Sequence, residues 1–231
     1  MKRIALISGF VAQSAIGWSQ TANEILADLR SGFQKINDLK CQVDMNFDIP
    51  GVSIEKISGK MFYKKPDKFR VRTKGLVFLP KQNPFQQLEL LEDPNSYVAI
   101  LAGESEVEGV KCHVINVIPN NPEELVIMKM LVGKEDRRIH KSELTLKREG
   151  TVTYYNTYSD AEAVIPTEMR FEADFRRFKM PKAISGDFSS RPVRDEEESG
   201  NYETGRVTML ISDLELNRKV DDSLFIDSEG I

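Results

Sequence analysis

The chain has 231 residues, with 36 acidic against 32 basic side chains and a formal net charge of −4. That balance argues against a general nucleic-acid binder, whose phosphate contacts need a basic footprint. Two cysteines and two histidines are too few for a disulfide framework or a histidine-rich metal cage, and the length suits one β-rich domain.

The chain opens Met1-Lys2-Arg3 and then runs apolar from Ile4 to about Gly17 before the small-residue exit at Ser19. A short positive segment, a short apolar core and a small-residue exit predict a secretory signal peptide over 1–19. The apolar run is shorter than the roughly 20 residues needed to span a bilayer. No cysteine lies near the cleavage site to take a lipid anchor. The expectation is an exported, soluble, periplasmic protein with one domain over 20–231 and no transmembrane segment in the mature chain. Export permits a disulfide between Cys41 and Cys112. Burial of each as a free thiol in an alternating strand is the alternative.

Thr21 to Lys40 predicts an amphipathic helix. Thr21 and Glu24 have capping-box spacing, and Ile25, Leu26, Leu29, Phe33 and Ile36 form one apolar stripe. From Cys41 the period switches to two. Cys41, Val43, Met45, Phe47 and Ile49 alternate with Gln42, Asp44, Asn46 and Asp48, the pattern of a strand with one dry and one wet face. Pro50-Gly51 ends it in a turn. Strands are predicted over 54–64 and 68–74, then over 97–102, 110–118, 124–132, 137–147, 151–158, 168–175 and 206–216. The last of these has a slip in its alternation near Asp213. Their regular spacing argues for one large antiparallel sheet. Two stretches break the pattern: 76–91, with two prolines, and an acidic stretch over about 186–205 that is expected to be a mobile loop.

No Ser-His-Asp order, HExxH, CxxC or glycine-rich phosphate loop appears, so the expectation is no enzyme, no cofactor and no metal site. His113 and His140 each sit inside a strand-like alternation, where a structural role is the ordinary one. Glu104, Glu106 and Glu108 read as solvated charge on a hairpin.

The basic stretch 56–74 admits three readings: the wet face of a twisted sheet protected from edge pairing, a patch for anionic lipid or an acidic partner, or a nucleic-acid surface, which the acidic whole disfavours. Aromatic residues spread over many strands, yet only one long helix is evident to cover them. A helix is roughly 10 Å across, so a wide sheet either is covered by loops or curls into an apolar cup, a ligand site by default.

The segment "SGKMFYKKPDKFRVRTKG" (58–75) resembles the "G-x-L-x-x-K-R-P-D-K-F-R" segment of LolA-like outer-membrane lipoprotein carriers and sorting proteins. "EVEGVKCHVINVIP" (106–119) is similar to their central hairpin, and "LELNRKVDDSLF" (214–225) to their final strand and tail. The resemblance implies a mainly β, α+β fold: a large curved antiparallel sheet of about eleven strands forming an unclosed half-barrel around a hydrophobic cavity, with the N-terminal helix and 76–91 as lid. It implies lipid acyl chains as cargo, with Val43, Met45, Phe47, Phe69, Val71, Met169 and Phe171 lining the cavity. Lys65, Arg70 and Arg72 are expected at its rim or on a head group. Lys65 stands where the family has an arginine and so lacks the planar fork of that side chain. The tryptophans common on that wall in proteobacterial carriers are absent here. The implied function is a periplasmic carrier taking lipoproteins from an inner-membrane donor complex to an outer-membrane acceptor. The alternative is an envelope lipid or stress sensor on the same fold without carrier activity. A hydrolase of envelope lipids lacks a nucleophile–base pair, and an exported β-domain with a filled core is the plain structural reading.

Overall fold

The computed structural model describes residues 21–50, 53–73, 88, 90–148, 150–160, 163–174 and 204–225. The expected signal peptide lies outside the described residues. So does most of 76–91 and nearly all of the acidic stretch 186–205.

Helix α1 (Ala22–Gln34) is capped as its sequence requires. The Thr21 amide donates to Glu24 Oε2 at 2.8 Å and the Glu24 amide to Thr21 Oγ1 at 3.3 Å, so two orphan donors are satisfied reciprocally. Ile25, Leu26, Leu29 and Phe33 are buried on one stripe. The helix stops well short of Lys40. Ile36 and Leu39 fit either a helical or an alternating period, and strand pairing decides: Asp38, Leu39 and Lys40 already pair with Lys64, Tyr63 and Phe62.

Ten strands follow among the described residues: β1 (Asp38–Asp48), β2 (Ile57–Lys64), β3 (Lys68–Thr73), β4 (Tyr97–Val107), β5 (Val110–Pro119), β6 (Leu125–Gly133), β7 (Ile139–Leu146), β8 (Gly150–Thr157), β9 (Glu168–Ala173) and β10 (Gly205–Leu216). They form one antiparallel sheet in the order β3-β2-β1-β10-β9-β8-β7-β6-β5-β4. The first and last strands meet inside it, where β1 pairs with β10. The sheet does not close; among the described residues β3 and β4 are its edges. The fold is the expected α+β one, an open curved sheet with a helix on its inner face.

The slip near Asp213 is a β-bulge. The β1–β10 register shifts between Lys40 and Gln42, and Asp213 adopts a left-handed φ of 48°. One extra residue on β10 re-aims the strand end, and Gln42 Nε2 donates to Asp213 Oδ2 at 2.8 Å across it.

Strand alternation sorts side chains into two faces. The inner face carries the main core, including Val43, Met45, Met61, Tyr63, Ile115, Val117, Met128, Met130, Tyr154, Met169, Phe171, Val207 and Met209, packed with the stripe of α1. A second, smaller cluster of Cys112, Val114 and Leu131 lies apart from it, with Val107 and Val110 against it. Cys41 belongs to the main core and Cys112 to the small cluster, and both are free thiols. The disulfide option is therefore corrected: Cys41 is on β1 and Cys112 on β5, and β10, β9, β8, β7 and β6 lie between them in the sheet. Burial pushes the Cys41 thiol up to about 12 and the Cys112 thiol up to about 11, the latter helped by the negative charge of Asp136. Neither is a thiolate at neutral pH, so neither is a reactive cysteine.

Candidate functional site

The inner face positions the predicted cavity residues. Val43, Met45, Met169 and Phe171 are buried beneath α1, while Phe47, Phe69 and Val71 pack half-buried at the margin of the same core. Val43 and Met45 sit on β1, and Met169 and Phe171 pair in register with Met209 and Val207 of β10. All seven share one apolar surface.

The open space lies beside them. A cleft of about 200 Å³ separates the flank of α1 (Asp28, Leu29, Ser31, Gly32, Phe33) from the β6–β7 turn (Asp136 to Arg138), Asn156 and Tyr158, the loop 163–166 and Met169. Leu88 also lines it. Met169 is the one predicted cavity residue on its wall. The α1 wall, with Leu29 and Phe33, belongs to the helix expected as lid, whereas sequence reasoning missed the turn and loop walls, which carry no periodic signal. Gly32, small and out of step with the apolar stripe, was the visible hint.

The cleft's polar end is built around Asp136. Its Oδ2 is 2.8 Å from His140 Nε2 and accepts from Arg138 Nε at 2.9 Å, while Oδ1 accepts from the Arg138 amide at 3.2 Å. Burial alone would raise its pKa. The hydrogen bonds from His140 and Arg138 outweigh that, and the carboxyl is held below the usual range. A Cβ at Gly133 would collide with Asp136 Oδ1, so the turn needs glycine there. Arg138 also donates to the carbonyls of Asp160 at 2.5 Å and Ala163 at 3.4 Å, and its guanidinium lies 4.4 Å from the Tyr158 ring centre. Arg138 thus ties the loop at 160–163 to the β6–β7 turn. Next to it, Arg137 holds a left-handed φ of 58° and puts Nε 3.9 Å from Asp28 Oδ2 on α1.

α1 is tied at mid-helix by Arg30, which donates to the Leu91 carbonyl at 3.1 Å, and again at its C-terminal end. Lys65 Nζ donates to the Gln34 carbonyl at 3.2 Å and lies 5.6 Å from the Phe33 ring centre. Asn217 Nδ2 donates to the Lys35 carbonyl at 2.8 Å, and Asn217 Oδ1 accepts from the Asn37 amide at 2.7 Å. The last turn of α1 carries no basic residue of its own, so Lys65 supplies from the β2–β3 turn the cation that a helix C-terminus favours. That is the place of Lys65 in the fold.

Arg70 and Arg72 lie elsewhere. Arg70 pairs with Phe62 and Arg72 with Lys60, on the face opposite Phe69 and Val71. There the chain's C-terminal segment docks. Lys64 Nζ reaches the Val220 carbonyl at 3.1 Å and Asp222 at 2.7 Å, Lys68 reaches Asp222 at 3.1 Å, and Arg72 donates to the Leu224 carbonyl at 3.1 Å. The basic stretch and the "VDDSLF" tail, far apart in sequence, meet on the outer face.

No family model matches the sequence, and no curated protein does. Solved structures do match. A DUF1329 family protein from Desulfovibrio piger superposes with a TM-score of 0.60 at 13% identity, over 90% of this chain and 96% of that one. A LolA superfamily protein from Nitrosomonas europaea gives 0.57 at 13% identity, over 90% and 98%. The chain has a LolA-like fold. A third LolA-like structure, described as a putative outer membrane lipoprotein-sorting protein domain from Vibrio parahaemolyticus, gives 0.58 at 10% identity over 88% and 95%. At these identities the likeness establishes the LolA-like architecture of the chain and leaves its ligand to be argued from the site. Among the described residues no helix is long and apolar enough to cross a membrane.

Proposed function

We propose that the protein is an exported, periplasmic binding protein that holds lipid acyl chains against the inner face of its sheet, as a carrier of lipoproteins between an inner-membrane donor and an outer-membrane acceptor. One observation carries this reading. An apolar cleft opens between the roof helix and the sheet, and its wall at Met169 continues into the buried surface of Val43, Met45 and Phe171. α1 is anchored at its C-terminal end by Lys65 and Asn217 and lines the cleft with residues from Asp28 to Phe33, so the roof shifts against those ties to admit a chain. Each buried methylene contributes about 0.8 kcal/mol. A long chain in a rigid, closed cavity would be held too tightly to hand on, and a liftable roof grades that affinity.

The test is titration with a fluorescent fatty-acid analogue. Phe69 stands half-buried on the edge strand β3, packed against the core. Phe69→Glu puts a charge on that apolar margin and is expected to weaken binding at least about tenfold, given the cost of burying an unpaired carboxylate, with a melting transition still present. Undiminished binding by the folded variant would remove β3 from the lipid wall.

A further inference from the structure

We propose that the outer face of β2 and β3 docks the protein on an anionic lipid surface, and that Asp222 is a built-in counter-charge that weakens this docking. The choice of a membrane over another polyanion rests on the lipid-binding reading above. Lys60 and Lys64 on β2 and Lys68, Arg70 and Arg72 on β3 project from one face, as the register pairs Lys60 with Arg72, Phe62 with Arg70 and Lys64 with Lys68. Lys60 and Arg72 are exposed. The whole chain is acidic, with a net charge of −4, yet at physiological salt charges farther apart than about 8 Å are largely screened from one another. The five cations outnumber the carboxylates of Asp221 and Asp222 on the docked tail, and the local positive excess acts on a nearby surface as itself. Such clusters are drawn to acidic phospholipid head groups by about fivefold in affinity per basic residue.

Two features single out a membrane. β3 is an edge strand among the described residues, and its other face carries Phe69 and Val71 at the margin of the apolar core. A bilayer met along this free edge by the basic side chains also lies beside Phe69 and Val71 on the opposite face, where a chain would enter or leave. The counter-charge is equally specific. Asp222 sits in a short 3-10 turn, Asp222–Phe225, and its Oδ1 bridges Lys64 at 2.7 Å and Lys68 at 3.1 Å. With its side chain 60% exposed and those of the lysines 32% and 41%, this is a solvent-accessible bridge. A lipid phosphate can compete for it without opening any core.

The experiment is flotation of the full chain with vesicles of phosphatidylglycerol mixed into phosphatidylcholine, against phosphatidylcholine alone. Expected is binding to the anionic vesicles only, lost at about 1 M salt, where screening acts within roughly 3 Å. The double variant K60E/R72E, checked for an unchanged melting temperature, is expected to lose at least about tenfold in affinity, and D222N to gain about fivefold. Glu124→Gln removes one negative charge from the exposed β5–β6 turn and controls for net charge. Three results would overturn the proposal: equal binding to neutral vesicles, an unaffected K60E/R72E, or a gain in D222N no larger than in E124Q. Binding to polyglutamate but not to vesicles would overturn it in favour of an acidic protein partner. Uptake of the fatty-acid analogue by the wild type is measured alongside. Vesicle docking without uptake would sink the carrier reading and leave the docking face standing.

Discussion

Replacing Gly32 by leucine is expected to raise the melting temperature and, in the same protein, to lower affinity for an acyl chain about a hundredfold. The two effects have separate causes. Gly32 lies in α1, where glycine costs up to about 1 kcal/mol relative to good helix formers because its backbone has the most freedom to lose. A Cβ added there meets only Val164 Cγ1, at 3.9 Å, an ordinary contact, so nothing offsets the helix gain. The rest of the leucine side chain has one place to go, the cleft that Gly32 lines with Leu29, Phe33 and Val164. Four carbon atoms placed in a space of about 200 Å³ displace as many methylenes of a bound chain. At about 0.8 kcal/mol each, the loss is near 3 kcal/mol. Calorimetric titration of a fatty acid beside a thermal melt checks both limbs. A stabilised variant that binds as well as wild type would show that the chain does not pass between α1 and the 163–166 loop. A purely structural role for this glycine predicts the opposite pattern, lower stability with binding affected only through unfolding.

Much of this architecture is legible in the amino-acid sequence, and the reasons are local. The α1 stripe and its capping box are written in consecutive residues, and the period-two alternation of Val43, Met45, Met169 and Phe171 fixes which side chains face inward. The bulge at Asp213 shows as one broken step in the alternation. The end of the helix is not legible, because Ile36 and Leu39 satisfy both periods, and only the pairing of Leu39 with Tyr63 decides between them. Sheet order is not legible either, since the β1–β10 pairing joins residues about 170 positions apart. The same holds for the tie between Lys65 and the end of α1, and for the cleft, where the flank of α1 meets turns and loops distant in sequence. Arg70 and Arg72 are instructive in another way. Alternation with Phe69 and Val71 already puts them on the wet face, and only the family resemblance draws them toward a cavity rim.

Asp136→Ala is expected to cost about 3 kcal/mol of stability and to flatten the acid limb of the stability profile. Asp136 joins His140 and Arg138, whose side chains are 12% and 17% exposed against its own 19%. Removing the carboxylate of such a mostly buried set leaves the Arg138 charge without its counter-ion and His140 Nε2 without its partner, and breaking a buried pair typically costs about 3 kcal/mol or more when burial is complete. The sign of the pH effect follows from linkage. Burial raises the carboxyl's pKa, but the hydrogen bonds from His140 and Arg138 prevail and set it below 3.8, its value in the unfolded chain. The stabilisation is therefore fully present above the unfolded pKa and disappears as pH falls through the lower folded one. Wild type should lose this contribution on acidification. The alanine variant, having none to lose, should start lower at neutral pH and converge with wild type in acid. Melting temperatures across pH read this directly, and parallel curves for the two proteins would mean that Asp136 is not the brace of the turn. Because Arg138 carries the tie from that turn to the carbonyls of Asp160 and Ala163, the same variant should loosen the loop wall of the cleft. Hydrogen exchange is expected to rise over 163–167 while the inner strands β1 and β10 stay protected.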